Sequence, residues 1–185
     1  MPRKTLIING SPRAHGDTAA LIAELSRHLD GDIAELSAFR ANIAPCIDCR
    51  ACRTVRGCVF DDDMRMVYAD DFDALVIASP VYFSNLPGAL LSLASRLQPW
   101  HNAKYYLGEP IMPRPKLGGL IFVGGGSGNE SGAQRAVRPI FRLLNAAGFE
   151  DHTVLSMHTD TLPAAEDRAA LDGARELAYR LNSAS

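Results

Sequence analysis

Asp73-Ala74-Leu75-Val76-Ile77-Ala78-Ser79-Pro80 carries five consecutive apolar residues between an aspartate and a proline. A run that short and unbroken reads as a strand buried on both faces, the environment of a central strand in a parallel sheet. Similar runs flank it, separated by helical periodicity. Upstream, Leu6-Ile7-Ile8-Asn9 reads as a first buried strand ended by Gly10-Ser11-Pro12. Asp17 is then placed to cap a helix whose apolar face is Leu21, Ile22, Leu25 and Leu29. Residues 32–37 form a weaker second strand, and a short helix within 61–71 turns Met64 and Val67 inward. Downstream, 85–97 reads as a helix capped by Asn85, with Pro87 in its first turn and Leu90, Leu93, Ala94 and Leu97 facing in. Residues 117–123 form a fourth strand. A helix over 133–147 ends at Gly148 and is kinked or split by Pro139. Val154-Leu155 marks a fifth strand, and 165–181 is a closing helix.

Five strand–helix units with short connections predict a right-handed, doubly wound α/β domain. The dinucleotide-binding arrangement needs six strands; five point to a parallel sheet of order 2-1-3-4-5, with helices on both faces. In that order ligands bind beyond the carboxyl ends of the strands where the connections diverge, so function belongs in the turns after strands one, three and four. The 185 residues suit one domain. A Cys-rich insertion at about 45–60 and a long loop at about 98–115 interrupt it.

Composition narrows the function classes. With 47% hydrophobic and 22% charged residues, long disorder and collagen-like structure are excluded. The 19 Lys+Arg against 21 Asp+Glu give a net charge of −2 without a basic cluster, so no electrostatic footprint exists for nucleic acid or anionic lipid. No apolar run approaches the roughly 18 residues of a membrane span. The stretch after Met1-Pro2-Arg3-Lys4 is too short for a signal-peptide core, and a cytoplasmic protein is expected.

The first turn, Gly10-Ser11-Pro12-Arg13-Ala14-His15-Gly16-Asp17-Thr18, is neither a Walker loop nor a G-x-G-x-x-G fingerprint: five residues separate its glycines, and Asp17 stands where Lys would be. Two hydroxyls (Ser11, Thr18), the Arg13 guanidinium and the amides of a helix N-terminus suit a terminal phosphate monoester. Asp17 is expected to cap the helix with its carboxylate turned from the phosphate. His15 reads as an exposed loop residue. The second turn, Pro80-Val81-Tyr82-Phe83, offers flat apolar surface to a planar ring. The third, Gly124-Gly125-Gly126-Ser127-Gly128, lets backbone approach a ligand closely. Phosphate contacts at roughly 1.5–3 kcal/mol each fall short of the about 8–12 kcal/mol that micromolar to nanomolar binding needs. A buried ring must supply the rest, and a phosphate joined to a flat ring describes FMN.

These residues bring a family into view. Gly10-Ser11-Pro12-Arg13, Gly16-Asp17-Thr18 and Ser79-Pro80-Val81-Tyr82-Phe83 resemble the NADPH-dependent FMN reductase group of flavodoxin-like proteins. The resemblance implies that residues 11–18 hold the FMN phosphate, that Pro80 to Phe83 contact the isoalloxazine, and that Gly124 to Ser127 flank its other edge. The chain departs from the family pattern in having Asp17 where Asn is usual and Ala14 where a basic residue is frequent.

All four cysteines fall in Cys46-Ile47-Asp48-Cys49-Arg50-Ala51-Cys52-Arg53-Thr54-Val55-Arg56-Gly57-Cys58. Thiols this crowded read as metal ligands or redox groups rather than a disulfide framework. Two successive C-x2-C steps put three thiolates on one turn, and Gly57 lets the chain return the fourth, a spacing that can converge on a cubane. Structural zinc usually pairs knuckles from separated segments. Arg50, Arg53 and Arg56 would offset a cluster's charge or depress thiol pKa values in its absence. With Asp61-Asp62-Asp63-Met64 after it, the segment is similar to that of iron–sulfur flavoproteins, a branch of the same family. That resemblance implies a 4Fe–4S cluster on Cys46, Cys49, Cys52 and Cys58 and electron passage to an FMN, that of a neighbouring subunit in a homo-oligomer (dimer or tetramer).

The leading expectation is thus an FMN-dependent oxidoreductase that passes electrons between cluster and flavin, with ferredoxin or NAD(P)H as partner and no protein acid–base pair. The alternatives are an NAD(P)H-dependent FMN or quinone reductase without a cluster, a flavodoxin-like carrier, and a zinc-stabilised binding module. The 98–115 loop, with Trp100, His101, Tyr105 and Tyr106, reads as a surface insertion, an oligomer contact or a lid.

Overall fold

A computed structural model describes residues 3–109, 114–126, 128 and 130–183. Strands β1 (Lys4–Asn9), β2 (Asp32–Ser37), β3 (Ala74–Pro80) and β4 (Lys116–Val123) form a parallel sheet in the order β2-β1-β3-β4. The run quoted above is its centre: every residue of β3 is buried, and Val76 lies opposite Ile7 on one side and Gly119 on the other. Period-two alternation then divides the core. Leu6, Ile8, Leu75 and Ile77 share one face with Leu90, Leu93, Val137 and Phe141; Ile7, Val76 and Ile121 share the other with Leu21, Leu25, Leu177 and Leu181. Helices α1 (Asp17–His28) and α6 (Arg168–Ser183) therefore cover one face. The opposite face is covered by α2 (Arg65–Tyr68), α3 (Gly88–Ser95), α4 (Gln98–Tyr106) and α5 (Ser131–Leu143). This is the flavodoxin-like α/β fold expected from the element order.

The fifth position is broken in two. β5 (Ala146–Ala147) pairs with Lys116–Leu117, and β6 (Thr153–Ser156) pairs with 120–123 of β4. Gly148, at φ +82°, and a 3-10 turn over Phe149–His152 separate them. The helix expected over 133–147 accordingly stops at Leu143, because Asn145 takes a left-handed φ of 52° and the chain turns into the sheet. Pro139 neither ends nor splits α5. It sits on the exposed side of the helix, where water can replace the hydrogen bond it cannot donate.

Three other expectations are corrected. Asn85 does not cap α3; the helix begins after Pro87, which bars Leu86 from helical geometry, and the Asn85 Oδ1 accepts the Leu86 amide instead. Much of the segment read as a loop at 98–115 is α4, which Pro99 starts rather than breaks and which buries Trp100 and Ala103; Pro110 and Pro113 lie outside the described residues. The closing helix starts at Arg168, where Asp167 Oδ1 accepts the Ala170 amide as a cap. No helix among the described residues is long and apolar enough to cross a membrane.

Candidate functional site

The carboxyl ends of β1, β3 and β4 meet at one edge. The Gly10 amide donates to the Ala78 carbonyl, and a Cβ on Gly10 would meet Ser79 Oγ at 2.8 Å, so the first turn rests directly on the second. Asn9, buried at the end of β1, accepts the Ser11 amide on Oδ1 (2.8 Å) and donates from Nδ2 to Glu35 (2.9 Å). Ser11 Oγ accepts the Arg13 amide at 3.2 Å. Ser11 and Thr18 are both buried, and no side chain caps α1, which leaves the amides of its first turn without intrahelical acceptors. Anions are favoured at such an end by dipole and donors together.

Asp17 departs from the expected cap. Its Oδ1 accepts the Ala164 amide (3.0 Å) and its Oδ2 the Arg13 guanidinium (3.1 Å). The carboxylate therefore ties α1 to the 157–165 segment, and Arg13 is paired rather than free. His15 is exposed, as expected.

The second turn is a tight reversal. Tyr82 and Asn85 exchange two 2.9 Å backbone hydrogen bonds around Phe83 and Ser84, whose φ values of 49° and 60° are both left-handed. Two non-glycine residues there store strain, a condition that concentrates at functional sites. Phe83 is fully exposed at the tip. In the third turn a Cβ on Gly124 would lie 2.6 Å from Met157 Cε, and one on Gly125 would lie 2.3 Å from Asp160 Oδ2. At these two glycines a side chain would require the Met157 and Asp160 side chains to move aside, while Gly126 faces open space.

Val81, Phe83, Ser84, Gly124, Gly125, Gly126 and Met157 line one cleft of about 240 Å³. Pro80 is instead buried as the last residue of β3, Tyr82 does not line the cleft, and Ser127 lies outside the described residues. Met157, Asp160 and Ala164 went unread in the sequence. All three sit on the connection after β6, which runs along the edge from turn three to turn one and carries no motif.

The cysteines lie elsewhere. The chain leaves the carboxyl end of β2 but returns along α3, where the Cys46 amide donates to Ser95 Oγ at 3.0 Å. Cys46, Cys49, Cys52 and Cys58 all line one pocket, and all are free thiols. Asp48 and Arg50 take left-handed φ values of 50° and 64° before the 3-10 turn Ala51–Arg53. Left- and right-handed residues in succession are the backbone pattern from which anion-binding concavities, including those of iron–sulfur clusters, are built. Donor set, backbone and pocket fit a group that takes four thiolates. Among the described residues, however, no three Cys, His, Asp or Glu are close enough to hold a single metal ion.

Arg96, 1% exposed, forms the pocket floor. Its fork grips Asp62 at 2.6 and 3.2 Å and donates to the Ala44 carbonyl at 2.8 Å, over the Phe60 ring. Burial works to raise the Asp62 pKa, but hydrogen bonds from Arg96 and the Met64 amide outweigh it and hold the carboxyl below its usual value. Burial raises Tyr68, which donates to the Arg96 carbonyl at 2.6 Å, with Cys58 adding to the shift.

A profile described as NADPH-dependent FMN reductase matches residues 3–160. An iron–sulfur flavoprotein of Methanosarcina thermophila is 30% identical over 148 residues, 76% of this chain and 72% of that protein. Another, of Methanocaldococcus jannaschii, is 29% identical over 126 residues, 65% of this chain and 62% of that protein. In fold, a flavodoxin-type WrbA-like protein of Agrobacterium tumefaciens superposes with a TM-score of 0.62 at 13% identity, over 97% of this chain and 95% of that one. An FMN-dependent NADH-azoreductase of Bacillus anthracis, solved with FMN, gives 0.60 at 14% identity, over 98% and 100%. Fold, edge and cysteine segment converge: the chain belongs to the NADPH-dependent FMN reductase family, in its iron–sulfur flavoprotein branch, and is a flavin-dependent oxidoreductase.

Proposed function

We propose that the chain passes electrons between a 4Fe–4S cluster held by Cys46, Cys49, Cys52 and Cys58 and an FMN seated at the carboxyl edge. The observation that carries the flavin half is the meeting of three turns at one edge: the turn that opens uncapped α1 packs through Gly10 on Ala78 and Ser79, and turns two and three share a cleft. Ser11, Thr18 and the first amides of α1 hold the phosphate, with Arg13 orienting it from outside while bound to Asp17. Val81, Phe83 and Gly124 to Gly126 flank the ring, and Ser127 belongs to the same turn. Bound FMN supplies the chemistry, since its ring accepts electrons singly or as a hydride. The protein binds and orients the ring and keeps one face reachable, which the open cleft and the exposed Phe83 permit. The electron partner is ferredoxin or NAD(P)H, and the working form is a homo-oligomer in the cytoplasm.

Iron, acid-labile sulfide and FMN counted on protein purified without air test this reading. About four iron and four sulfide per FMN is the expected result. A second reading, a cluster-free NAD(P)H-dependent reductase, is favoured by the absence of a ready metal-binding trio among the described residues. FMN with no iron or sulfide, together with steady NADPH oxidation, would establish it in place of the first.

A further inference from the structure

The cysteine pocket has walls that its spacing motif does not contain. Asn102, in α4, is 5% exposed and donates from Nδ2 to Cys52 Sγ at 2.9 Å. Arg96, one residue beyond α3, lends its terminal nitrogens to Asp62 and Ala44, yet its Nε is buried with no hydrogen-bond partner among the described residues. Both residues line the pocket with the four thiols. An N–H held dry without an acceptor is costly, and a group of anionic sulfurs is an acceptor that would satisfy it. Asp62 grips the guanidinium fork at two points, which fixes its orientation and offsets most of its charge. The stronger donor to sulfur is therefore Asn102, with Arg96 second.

Hydrogen bonds to sulfur and local charge are the levers by which a protein sets the potential of a thiolate-bound cluster. Resting on the cluster reading above, we infer that Asn102 and Arg96 are positioning residues that raise the reduction potential of the cysteine site by stabilising the negative charge added on reduction. The step is a one-electron transfer. A one-electron donor gives up the electron, the charge settles over cluster and sulfurs, and no thiolate bond breaks. An N–H already aimed at Cys52 needs no reorganisation to meet that charge.

The test is an EPR-monitored redox titration of the anaerobically purified holoprotein, using a viologen mediator, on wild type, Asn102→Leu, Asn102→Asp and Arg96→Lys. Asn102→Leu removes the donor at similar volume and should lower the reduced-to-oxidised ratio at fixed poise about tenfold, equal to about 59 mV for one electron. Asn102→Asp, which replaces the donor by a negative charge, should lower it further, while the FMN midpoint and the iron count stay at wild-type values. Arg96→Lys keeps the charge but loses the fork and should fall between wild type and Asn102→Leu. Should it fail to fold beside buried Asp62, the Asn102 pair decides. A full iron and sulfide count with both Asn102 variants at the wild-type midpoint overturns the inference alone. Wild type without iron and sulfide overturns the cluster reading, and this inference with it.

Discussion

Ser11→Ala separates phosphate binding from ring binding. Ser11 is 3% exposed at the end of the turn that opens α1. Its Oγ accepts the Arg13 amide at 3.2 Å, and its own proton has only the Arg13 carbonyl at 3.4 Å, at the weak limit for an O–H donor. A phosphate oxygen is a far better acceptor. A hydrogen bond to a charged group is worth about 1.5–3 kcal/mol, so losing this one should weaken FMN about 10- to 150-fold. Riboflavin has the same ring and no phosphate, and its affinity should stay within about twofold, an energy of about 0.4 kcal/mol. Flavin-free protein titrated with each compound, following quenching of flavin fluorescence, reads both constants. Thr18→Val, at a second buried hydroxyl, should repeat the selectivity. Equal losses for FMN and riboflavin would refute the assignment of turn one to phosphate, as would an unchanged FMN constant.

In Gly132→Ala the new Cβ would lie 2.0 Å from the Ser84 carbonyl oxygen. Turn two must then lift off α5, and the same titration should show FMN and riboflavin weakened together. Leu90→Ala empties a fully buried site between α3 and the sheet and should cost about 2–5 kcal/mol in urea unfolding, whereas half-exposed Leu91→Ala should change stability by less than about 0.5 kcal/mol. Asp62 has its carboxyl pKa lowered in the folded state, so its contribution is full above the ordinary 3.8 and is lost as pH falls through the lower folded value. Asp62→Asn should flatten that acid limb and, by leaving Arg96 buried without its counter-charge, destabilise by about 3–5 kcal/mol at neutral pH. Ser11→Ala and Asn102→Leu should act additively on FMN affinity to within about 0.5 kcal/mol, since they share no partner; a larger coupling would mean that turn one and the cysteine pocket are mechanically joined.

The sheet was legible because burial writes itself into sequence. An unbroken apolar β3 with alternating helical stripes leaves few ways to cover both faces. Errors fell where one residue type serves two ends. Proline reads as a breaker at Pro139, and the stretch holding Pro99 reads as a loop, yet on a solvent face or at a first helical turn the missing donor costs little. Aspartate was read as a cap at Asp17, but a partner distant in sequence, the Ala164 amide, claimed its carboxylate. In turn three, Gly124 and Gly125 line the cleft and also pack against the side chains of Met157 and Asp160, neighbours that the spacing does not reveal. Local spacing could not show any of these, because each depends on which segment arrives from elsewhere.

The same limit bears on the cysteines. None of residues 46–58 is buried, so the segment lacks the apolar burial that offsets the roughly 1–2 kcal/mol per residue spent in ordering backbone. What holds it comes from the junction of α3 and α4: Ser95 on the Cys46 amide, Arg96 on the Ala44 carbonyl, and Asn102 on Cys52. α3 begins just after turn two, so its eight residues lie between the cleft proposed for the flavin and the cysteine pocket, about 12 Å at 1.5 Å rise per residue. The sheet edge proposed for the flavin is therefore separate from the α3–α4 junction that shapes the thiols. A chain of this fold can vary its α3–α4 junction, and with it the electrostatics at sulfur, without touching the cleft. That separation lets a cysteine segment be added to a flavodoxin-like frame through the α3–α4 junction, where buried Arg96 and Asn102 meet it.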